Sequence, residues 1–232
     1  MARPVAGVLI QHQARLNPLR AVARVAGQLP SVATRVAATG VTIRGSRVAA
    51  VSTTAGTVYP GVVIFATGMP PDLAGLRLSL PADLVKGHLF VTAPTDLHLT
   101  GTVASVATAL DGGRLLVGGS LDIEDVSTGV RDQVIARMRS DLAAALPAAA
   151  GISVTNAWCC WRPHHPDGLP VIDRVPELDN AWLTSGHYRT GILAAPATSE
   201  LLVEWITTGR RPSRAAPFSA SRFTDRLPPS EP

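Results

Sequence analysis

Two stretches of the sequence decide the fold that it predicts: RPHHPDGLPVID, residues 162–173, and GHYRTGILAAPAT, residues 186–198. A short apolar segment between them, residues 181–184, predicts a strand. A serine–glycine pair interrupts this strand, and the apolar residues of Gly191–Ile206 recur with helical spacing. The second stretch is therefore predicted to form the turn between a strand and a helix.

This strand–turn–helix offers a site for an anion. The first N–H groups of a helix have no partner within the helix, and the helix dipole places partial positive charge there. Glycines such as Gly186 and Gly191 let a ligand approach the backbone closely. A phosphate, a carboxylate or the anionic edge of a reduced flavin would suit such a site. An ordinary turn between a strand and a helix is the alternative.

Arg162 is the candidate binding residue of the first stretch. It lies between an apolar segment, residues 157–161, and Pro163. Proline ends regular pairing and biases the preceding residue toward extended geometry, so we expect Arg162 at the end of a strand. Its guanidinium group can hold a carboxylate through two parallel hydrogen bonds. A surface ion pair with Asp167 or Asp173 is the alternative.

Taken together, the two stretches resemble the C-terminal signature of FAD-dependent amino-acid and amine oxidases of the glycine-oxidase and D-amino-acid-oxidase type. The resemblance extends more weakly from about Asn17 to Phe223. It implies that an amino acid or amine is oxidised at its C–N bond by hydride transfer to FAD, with oxygen as the electron acceptor. It also implies two catalytic residues: Arg162 would bind the substrate carboxylate, and Arg189 would lie near the substrate. The residues that it implies along the flavin are Gly186, His187, Tyr188, Arg189, Thr190, Gly191 and Ile192.

The segment VVIFATG, residues 62–68, predicts a buried parallel strand with a tight turn at its carboxyl end. Ligands of open α/β sheets gather at that end of the strands. In flavoproteins that resemble this chain, an Ala-Thr-Gly turn after such a strand lies close to the dinucleotide. Ala66, Thr67 and Gly68 are therefore further candidates for cofactor binding, although such a run on its own is more often simply core.

The remaining pattern predicts a mixed α/β (α+β) fold. It favours a helix starting at Asn17-Pro18, strands in 87–120 with a hairpin at residues 111–113, an amphipathic helix at 130–146, and a strand at 152–161. With the resemblance, this predicts an incomplete FAD-binding three-layer domain interleaved with an antiparallel-sheet substrate domain. The expected bounds are 17–70 with 176–208 for the FAD-binding part, which includes a β-meander at 41–59, and 71–175 for the substrate domain. A Pro/Arg-rich tail, 209–232, is expected to be a loose surface extension.

Composition excludes several classes of function. Of 232 residues 46% are hydrophobic and 16% charged, which indicates a globular chain. The net charge of +4 arises mostly after Gly209, where few aromatic residues interleave with the arginines, so nucleic-acid binding is not predicted. No cluster has metal-ligand spacing, no apolar run reaches the roughly 18 residues of a membrane span, and the first residues lack the apolar core of a signal peptide. Cys159 and Cys160 are adjacent, which disfavours a disulfide. We expect a buried pair and a cytoplasmic protein, and a reactive or metal-binding pair is the alternative.

A dinucleotide-binding fingerprint, G-x-G-x-x-G, is absent from the sequence. Since the related enzymes carry it in an N-terminal unit, the chain resembles their C-terminal portion. Two hypotheses follow. The chain is a FAD-dependent oxidoreductase or its C-terminal part, or it is a non-catalytic relic or subunit. In the second case a partner chain or an N-terminal segment would supply the nucleotide-binding unit.

Overall fold

The structure is a computed structural model that describes residues 16–99, 102–103, 107–123, 125 and 127–226. Its α-helices are α1 (Pro18–Ala26), α2 (Asp132–Ala145) and α3 (Gly191–Thr208). Its strands are β1 (Ala38–Arg44), β2 (Arg47–Thr53), β3 (Gly56–Val58), β4 (Val63–Gly68), β5 (Asp83–Thr92), β6 (Thr102–Val103), β7 (Ala107–Ala109), β8 (Leu115–Gly118), β9 (Val154–His164), β10 (Val171–Arg174) and β11 (Ala181–Ser185). Short 3-10 helices are Pro147–Ala149, Ser213–Phe218 and Ala220–Arg226.

Backbone contacts divide the chain into two compact units. The first unit contains the described residues up to Leu80, Val171–Ser185 and the described residues from Arg189 onward. The second contains Pro81–Pro170 and Gly186–Tyr188. The prediction of a mixed α/β fold is confirmed, whereas the assignment of FAD-binding and substrate domains stays a prediction.

The first unit has two three-stranded sheets. One is the predicted meander, β1-β2-β3, and the other has the order β10-β11-β4. Strand β11 is antiparallel to β10 and parallel to β4, which confirms the predicted parallel strand. Asn180, directly before β11, joins the two sheets: its side chain is 2% exposed and hydrogen-bonds the backbone of Val48 in β2.

Strand β4 is less buried than its apolar sequence predicts. Phe65 packs in the core, but Ile64 is 46% exposed. Helix α3 explains the difference, because its apolar side packs against Ile172 of β10 and Trp182 of β11. In the described residues β4 is an edge strand of this sheet, and Ile64, which is paired with Trp182, is not part of the cluster that packs with α3.

The described residues after Gly209 do not form the loose extension that their composition predicted, and residues 227–232 of that predicted tail lie outside the described residues. As far as Arg226 the described residues form two 3-10 helices. Ala215 and Phe223 are buried in the core, and the carboxylate of Asp173 accepts a hydrogen bond from the backbone N–H of Ala220. The apolar side chains between the arginines therefore stabilise the first unit.

The second unit is built on one antiparallel sheet with the order β6-β7-β8-β5-β9. Helix α2 covers one face of this sheet. The buried residues at that contact are Phe90, Leu115, Val117, Met138 and Leu142. The hairpin predicted before β8 is present: Gly112 and Gly113 both have positive φ, and Leu110 N–H donates to Arg114 O at 2.7 Å.

Strand β9 runs further than predicted, through Pro163 to His164. In the order of the described strands β9 lies at the edge of its sheet, beside β5, and an edge strand tolerates a residue without an N–H donor. The prediction that both cysteines are buried is wrong, because an edge strand is less covered than a central one. Cys159 is partly buried beside residues 128–129, and Cys160 is exposed.

Candidate functional site

Arg162 lies on the face of the five-stranded sheet opposite α2. The register pairs it with Val85 and pairs Cys160 with Gly87, and residues opposite each other on antiparallel strands share a face. The guanidinium group of Arg162 crosses β5 over Gly87, and its Nη1 donates a hydrogen bond to Ser120 O at 3.2 Å. The strand therefore fixes the base of the side chain, and Ser120 fixes its head.

Arg162 forms no ion pair within the residues that the structure describes. The carboxylate of Asp173 instead accepts hydrogen bonds from Ser219 Oγ at 2.7 Å and from the Ala220 N–H. The predicted alternative, a surface ion pair, is thus not what the structure shows. Arginine has several N–H donors, and the bond to Ser120 uses one. The partly buried guanidinium group keeps donors and a positive charge for an anionic ligand.

A buried polar network holds Ser120 in place. His88 is fully buried; its backbone N–H donates to Ser120 Oγ at 2.8 Å, and its Nδ1 lies 3.0 Å from Asp122 Oδ2. Arg131 N–H donates to His88 Nε2 at 3.2 Å. Since Nε2 accepts, the imidazole proton is on Nδ1 and points to the carboxylate. His88 is therefore a structural residue that supports the carbonyl group beneath Arg162.

Lys86, two residues earlier on β5, is also fully buried. Its Nζ donates to Asp125 Oδ2 at 3.0 Å, to Ser127 Oγ at 2.8 Å and to Gly129 O at 2.7 Å. Hydrogen bonds from the Ser127 side chain and backbone, and then from Lys86, hold the pKa of Asp125 well below its usual value. Lys86 thus anchors the described residues of the 125–129 segment and has no donor left for a ligand.

The predicted flavin-lining segment Gly186–Tyr188 lies beside the end of β9. His187 forms a β-bridge with His164, and Tyr188 N–H donates to Pro163 O at 2.9 Å. The Tyr188 ring lies 5.3 Å from the His164 ring, centroid to centroid, and its φ is +50°. The structure therefore brings this segment next to the two residues that follow Arg162.

Position 186 requires glycine for two reasons: its backbone conformation and the lack of space for a side chain. Its φ is +68°, and a Cβ there would lie 2.2 Å from Cδ2 of His165. His165 is fully buried, and its Nδ1 lies 2.7 Å from Pro81 O. Burial first, and then the charge of His165, lower the pKa of His187 below its ordinary value. A turn packed this closely fixes the backbone that leads to Arg189.

The other predicted cofactor residues lie in the first unit. The register of the parallel pair places Gly68 opposite Ser185, so the carboxyl ends of β4 and β11 lie side by side. Thr67 Oγ1 donates to Met69 O at 2.6 Å, and Gly68 has a φ of +82°. Both features form the tight turn that the sequence predicted after Ala66.

Helix α3 begins at Gly191 with Thr190 as the N-cap, and no side chain caps it. Arg189 is exposed, and Ile192 in the first turn is 51% exposed. The first N–H groups of α3 thus keep the anion-binding capacity expected of a helix start. Arg162 belongs to one unit and α3 to the other, so their convergence on one site stays a prediction.

Sequence patterns did not predict roles for Gly87, Ser120 or the His88 network. A glycine inside a ten-residue strand, β5, was the available signal, because strand glycines often mark a close approach of another group. Ser120 had no signal, since its contact to Arg162 uses a backbone carbonyl.

Other features of the described residues point elsewhere. A cavity of about 610 Å³ lies in the first unit beside the carboxyl end of α3 and contains none of the predicted site residues. No group of three or more His, Cys, Asp or Glu side chains in the described residues could hold a metal ion. Of the helices described, none has the length and apolar character that crossing a bilayer requires.

The sequence of the chain matches a known protein family. The sequence model of the family "DAO: FAD dependent oxidoreductase" matches residues 2–205. Glycine oxidase from Pseudomonas aeruginosa is 32% identical over 173 residues, which are 72% of this chain and 47% of that protein. Hydrogen cyanide synthase subunit HcnC from the same species is 28% identical over 192 residues, 80% of this chain and 46% of the subunit.

A solved structure has a similar fold. The crystal structure of glycine oxidase from Geobacillus kaustophilus has a TM-score of 0.68 and 27% identity, and the match covers 81% of this chain and 52% of the other. The chain thus spans about half the length of the curated relatives that it matches.

Proposed function

The chain belongs to the family of FAD-dependent oxidoreductases, as the two sequence stretches predicted, and on that premise we propose that it binds the substrate carboxylate and the ring end of the flavin. The proposed substrate is an amino acid, or an amine that carries a carboxylate, and it is oxidised at its C–N bond with oxygen as the electron acceptor. The observation that carries the proposal is Arg162, a partly buried arginine with no carboxylate partner in the described residues.

The proposed role of Arg162 is to hold and orient the substrate. Two parallel N–H donors of its fork would bind the carboxylate, and the bond to Ser120 O fixes the orientation of the fork. A substrate held at its carboxylate has its α-carbon restricted to a small volume, which favours a single reactive orientation. The positive charge also selects an anionic end group over a neutral one.

Several residues fit the ring end of FAD. Gly68 and Gly186 have positive φ and lie at the carboxyl ends of the parallel strands or directly after them. The uncapped start of α3, at Thr190–Ile192, would favour the negative charge of a reduced flavin ring. When bound, FAD would supply the acceptor for the two electrons that leave the substrate. Residues for its pyrophosphate end have no G-x-G-x-x-G counterpart in this sequence.

A second candidate is a subunit that acts only with a partner carrying the nucleotide-binding unit. In the described residues β4 pairs with β11 alone, so its other edge presents N–H and C=O groups that a further parallel strand could pair. On β11, Trp182 Nε1 and Thr184 Oγ1 are buried without a hydrogen-bond partner among the described residues. A strand from a partner chain, or from a preceding segment, would add to the same sheet.

Flavin titrations separate the two candidates. The purified chain is titrated with FAD and with riboflavin, and binding is followed by flavin fluorescence. If the chain holds the ring end alone, both flavins bind with similar and weak affinity, because the adenosine part makes no contact. Much tighter binding of FAD would show a complete nucleotide site. Binding of neither would contradict the proposed ring-end site in the isolated chain and would favour the second candidate, the subunit that needs a partner.

Arg162→Lys tests the carboxylate site. Acetate is the probe, acetamide is its uncharged control, and amide shifts in the NMR spectrum of the ¹⁵N-labelled chain report binding. Loss of one charge-assisted hydrogen bond, about 1.5–3 kcal/mol, should weaken acetate binding roughly ten- to hundredfold. The matched control is Arg139→Lys, at an exposed position of α2. Equal acetate affinity in wild type and Arg162→Lys would refute the role of Arg162.

A further inference from the structure

We propose that Gly87 is a positioning residue for Arg162: the missing side chain at position 87 is the space that the guanidinium group occupies. The inference rests on the proposed carboxylate-binding role of Arg162. It adds to that binding site a residue on another strand, Gly87, which lies 75 positions before Arg162 in the sequence.

The distances identify which part of Arg162 fills this space. A Cβ at Gly87 would lie 2.0 Å from Nη1, 2.3 Å from Nη2 and 2.4 Å from Cζ of Arg162. Every one of these atoms belongs to the guanidinium head, and all three distances are far shorter than a van der Waals contact. The head of Arg162, rather than its flexible stem, therefore rests on the backbone of β5.

Space, and not backbone conformation, is the reason for glycine at this position. Gly87 is not among the glycines with positive φ, so alanine could adopt its backbone geometry. A glycine inside a strand costs conformational entropy and gives up side-chain packing, so it requires a local cause. The guanidinium group over Gly87 supplies that cause.

The cross-strand geometry explains why Gly87 and Arg162 meet. Gly87 is paired with Cys160, and Arg162 is paired with Val85, so Gly87 and Arg162 are diagonal neighbours on one face. From this position the arginine reaches Ser120 O, beyond β5, by passing over Gly87. A side chain at position 87 would block this path and turn the fork away from Ser120.

The variant Arg162→Ala, which lacks the guanidinium group, tests whether position 87 requires glycine only because of Arg162. In wild type, Gly87→Ala should lower the unfolding temperature, because its methyl group meets the guanidinium head. In an Arg162→Ala background the same change should cost little, because the space is then free. If Gly87→Ala alone does not fold, the double variant Gly87→Ala/Arg162→Ala should still fold, and the comparison of the two variants then gives the result.

Gly118→Ala is the matched control. Gly118 lies on the neighbouring strand β8, and a Cβ there would be 2.9 Å from the side chain of Leu89. This control is also crowded, but not by Arg162. Its cost should therefore be the same in wild type and in the Arg162→Ala background, and it should leave the affinity for acetate within about twofold of wild type.

Two readouts report on Arg162 itself. The Nε–H resonance of Arg162, identified by its loss in Arg162→Ala, should shift in Gly87→Ala and stay in place in Gly118→Ala. The affinity for acetate, measured against acetamide, should fall at least tenfold in Gly87→Ala and should not fall further when Arg162→Lys is added. The resonance tests the position of the side chain even without a ligand.

The outcomes for Gly87 and for the proposed function are distinguishable. If Gly87→Ala costs as much stability in the Arg162→Ala background as in wild type, and the Nε–H resonance does not move, Gly87 does not position Arg162. If these two readouts behave as expected but acetate binds equally well to wild type and Arg162→Lys, the positioning stands and the carboxylate-binding role is wrong.

Discussion

Asn180 offers a quantitative test of how the first unit is held together. Its Oδ1 accepts a hydrogen bond from Val48 N–H at 2.9 Å, and its Nδ2 donates to Val48 O at 3.0 Å and to Gly61 O at 3.2 Å. Val48 is 1% exposed, whereas Gly61 is exposed and can bind water instead. Asn180→Ala would therefore leave two backbone groups of Val48 buried without partners.

The expected cost follows from those two groups. An unsatisfied buried donor or acceptor costs about 1–3 kcal/mol, so Asn180→Ala should lower the free energy of unfolding by about 2–4 kcal/mol. The lower end applies if water enters the space that the side chain leaves. Asn180→Asp should cost at least as much, because a carboxylate keeps the bond to Val48 N–H but faces the two carbonyl groups without a donor.

Urea unfolding followed by circular dichroism measures this cost by linear extrapolation. Asn156→Ala is the matched control, since Asn156 is exposed on β9. It should change the free energy of unfolding by less than about 0.5 kcal/mol. A cost for Asn180→Ala as small as that of Asn156→Ala would refute the role of Asn180 as the link between the meander and the parallel strands.

Two further predictions concern the second unit. Because hydrogen bonds from Ser127 lower the pKa of Asp125 in the folded state, its contribution to stability is present above the unfolded value of 3.8 and is lost as pH falls through the folded value. Urea midpoints of wild type and Asp125→Asn should therefore differ at pH 7 and converge as the pH falls below 3.8; a constant difference would contradict this. Gly186→Ala should destabilise more than Gly168→Ala in thermal unfolding, because both have positive φ but only Gly186 faces His165. Equal effects would show that backbone conformation alone requires glycine at position 186.

Local signals predicted much of the fold. The predicted β-meander at 41–59 is present as β1, β2 and β3, and the hairpin before β8 forms at its glycine pair. Apolar periodicity and turn residues act over a few positions, so the sequence carries them directly. Strand β4 was predicted to be parallel and is parallel, but its exposure depends on how far α3 extends across the sheet. No local pattern carries that information.

The errors in β9 have a common physical cause. Pro163 was expected to end the strand, and Cys159 and Cys160 were expected to be buried. Both expectations assumed a strand with neighbours on each side. Among the described strands β9 lies at the edge of its sheet, and an edge strand tolerates proline and exposes alternate side chains. Edge position is a property of the whole sheet, which the sequence of one strand does not specify.

The candidate site shows the same division between local and distant information. Arg162 and Gly186 were found from the residues on either side of them, because proline and glycine act on their neighbours. Gly87 and Ser120 were not found, although one lies under the guanidinium group and the other accepts its hydrogen bond. A charged side chain is easily recognised in the sequence as a candidate binding residue. A long side chain binds selectively, however, only when its head is fixed. If Arg162 selects a carboxylate, it is therefore the glycine and the carbonyl group on other strands that make this flexible side chain a site.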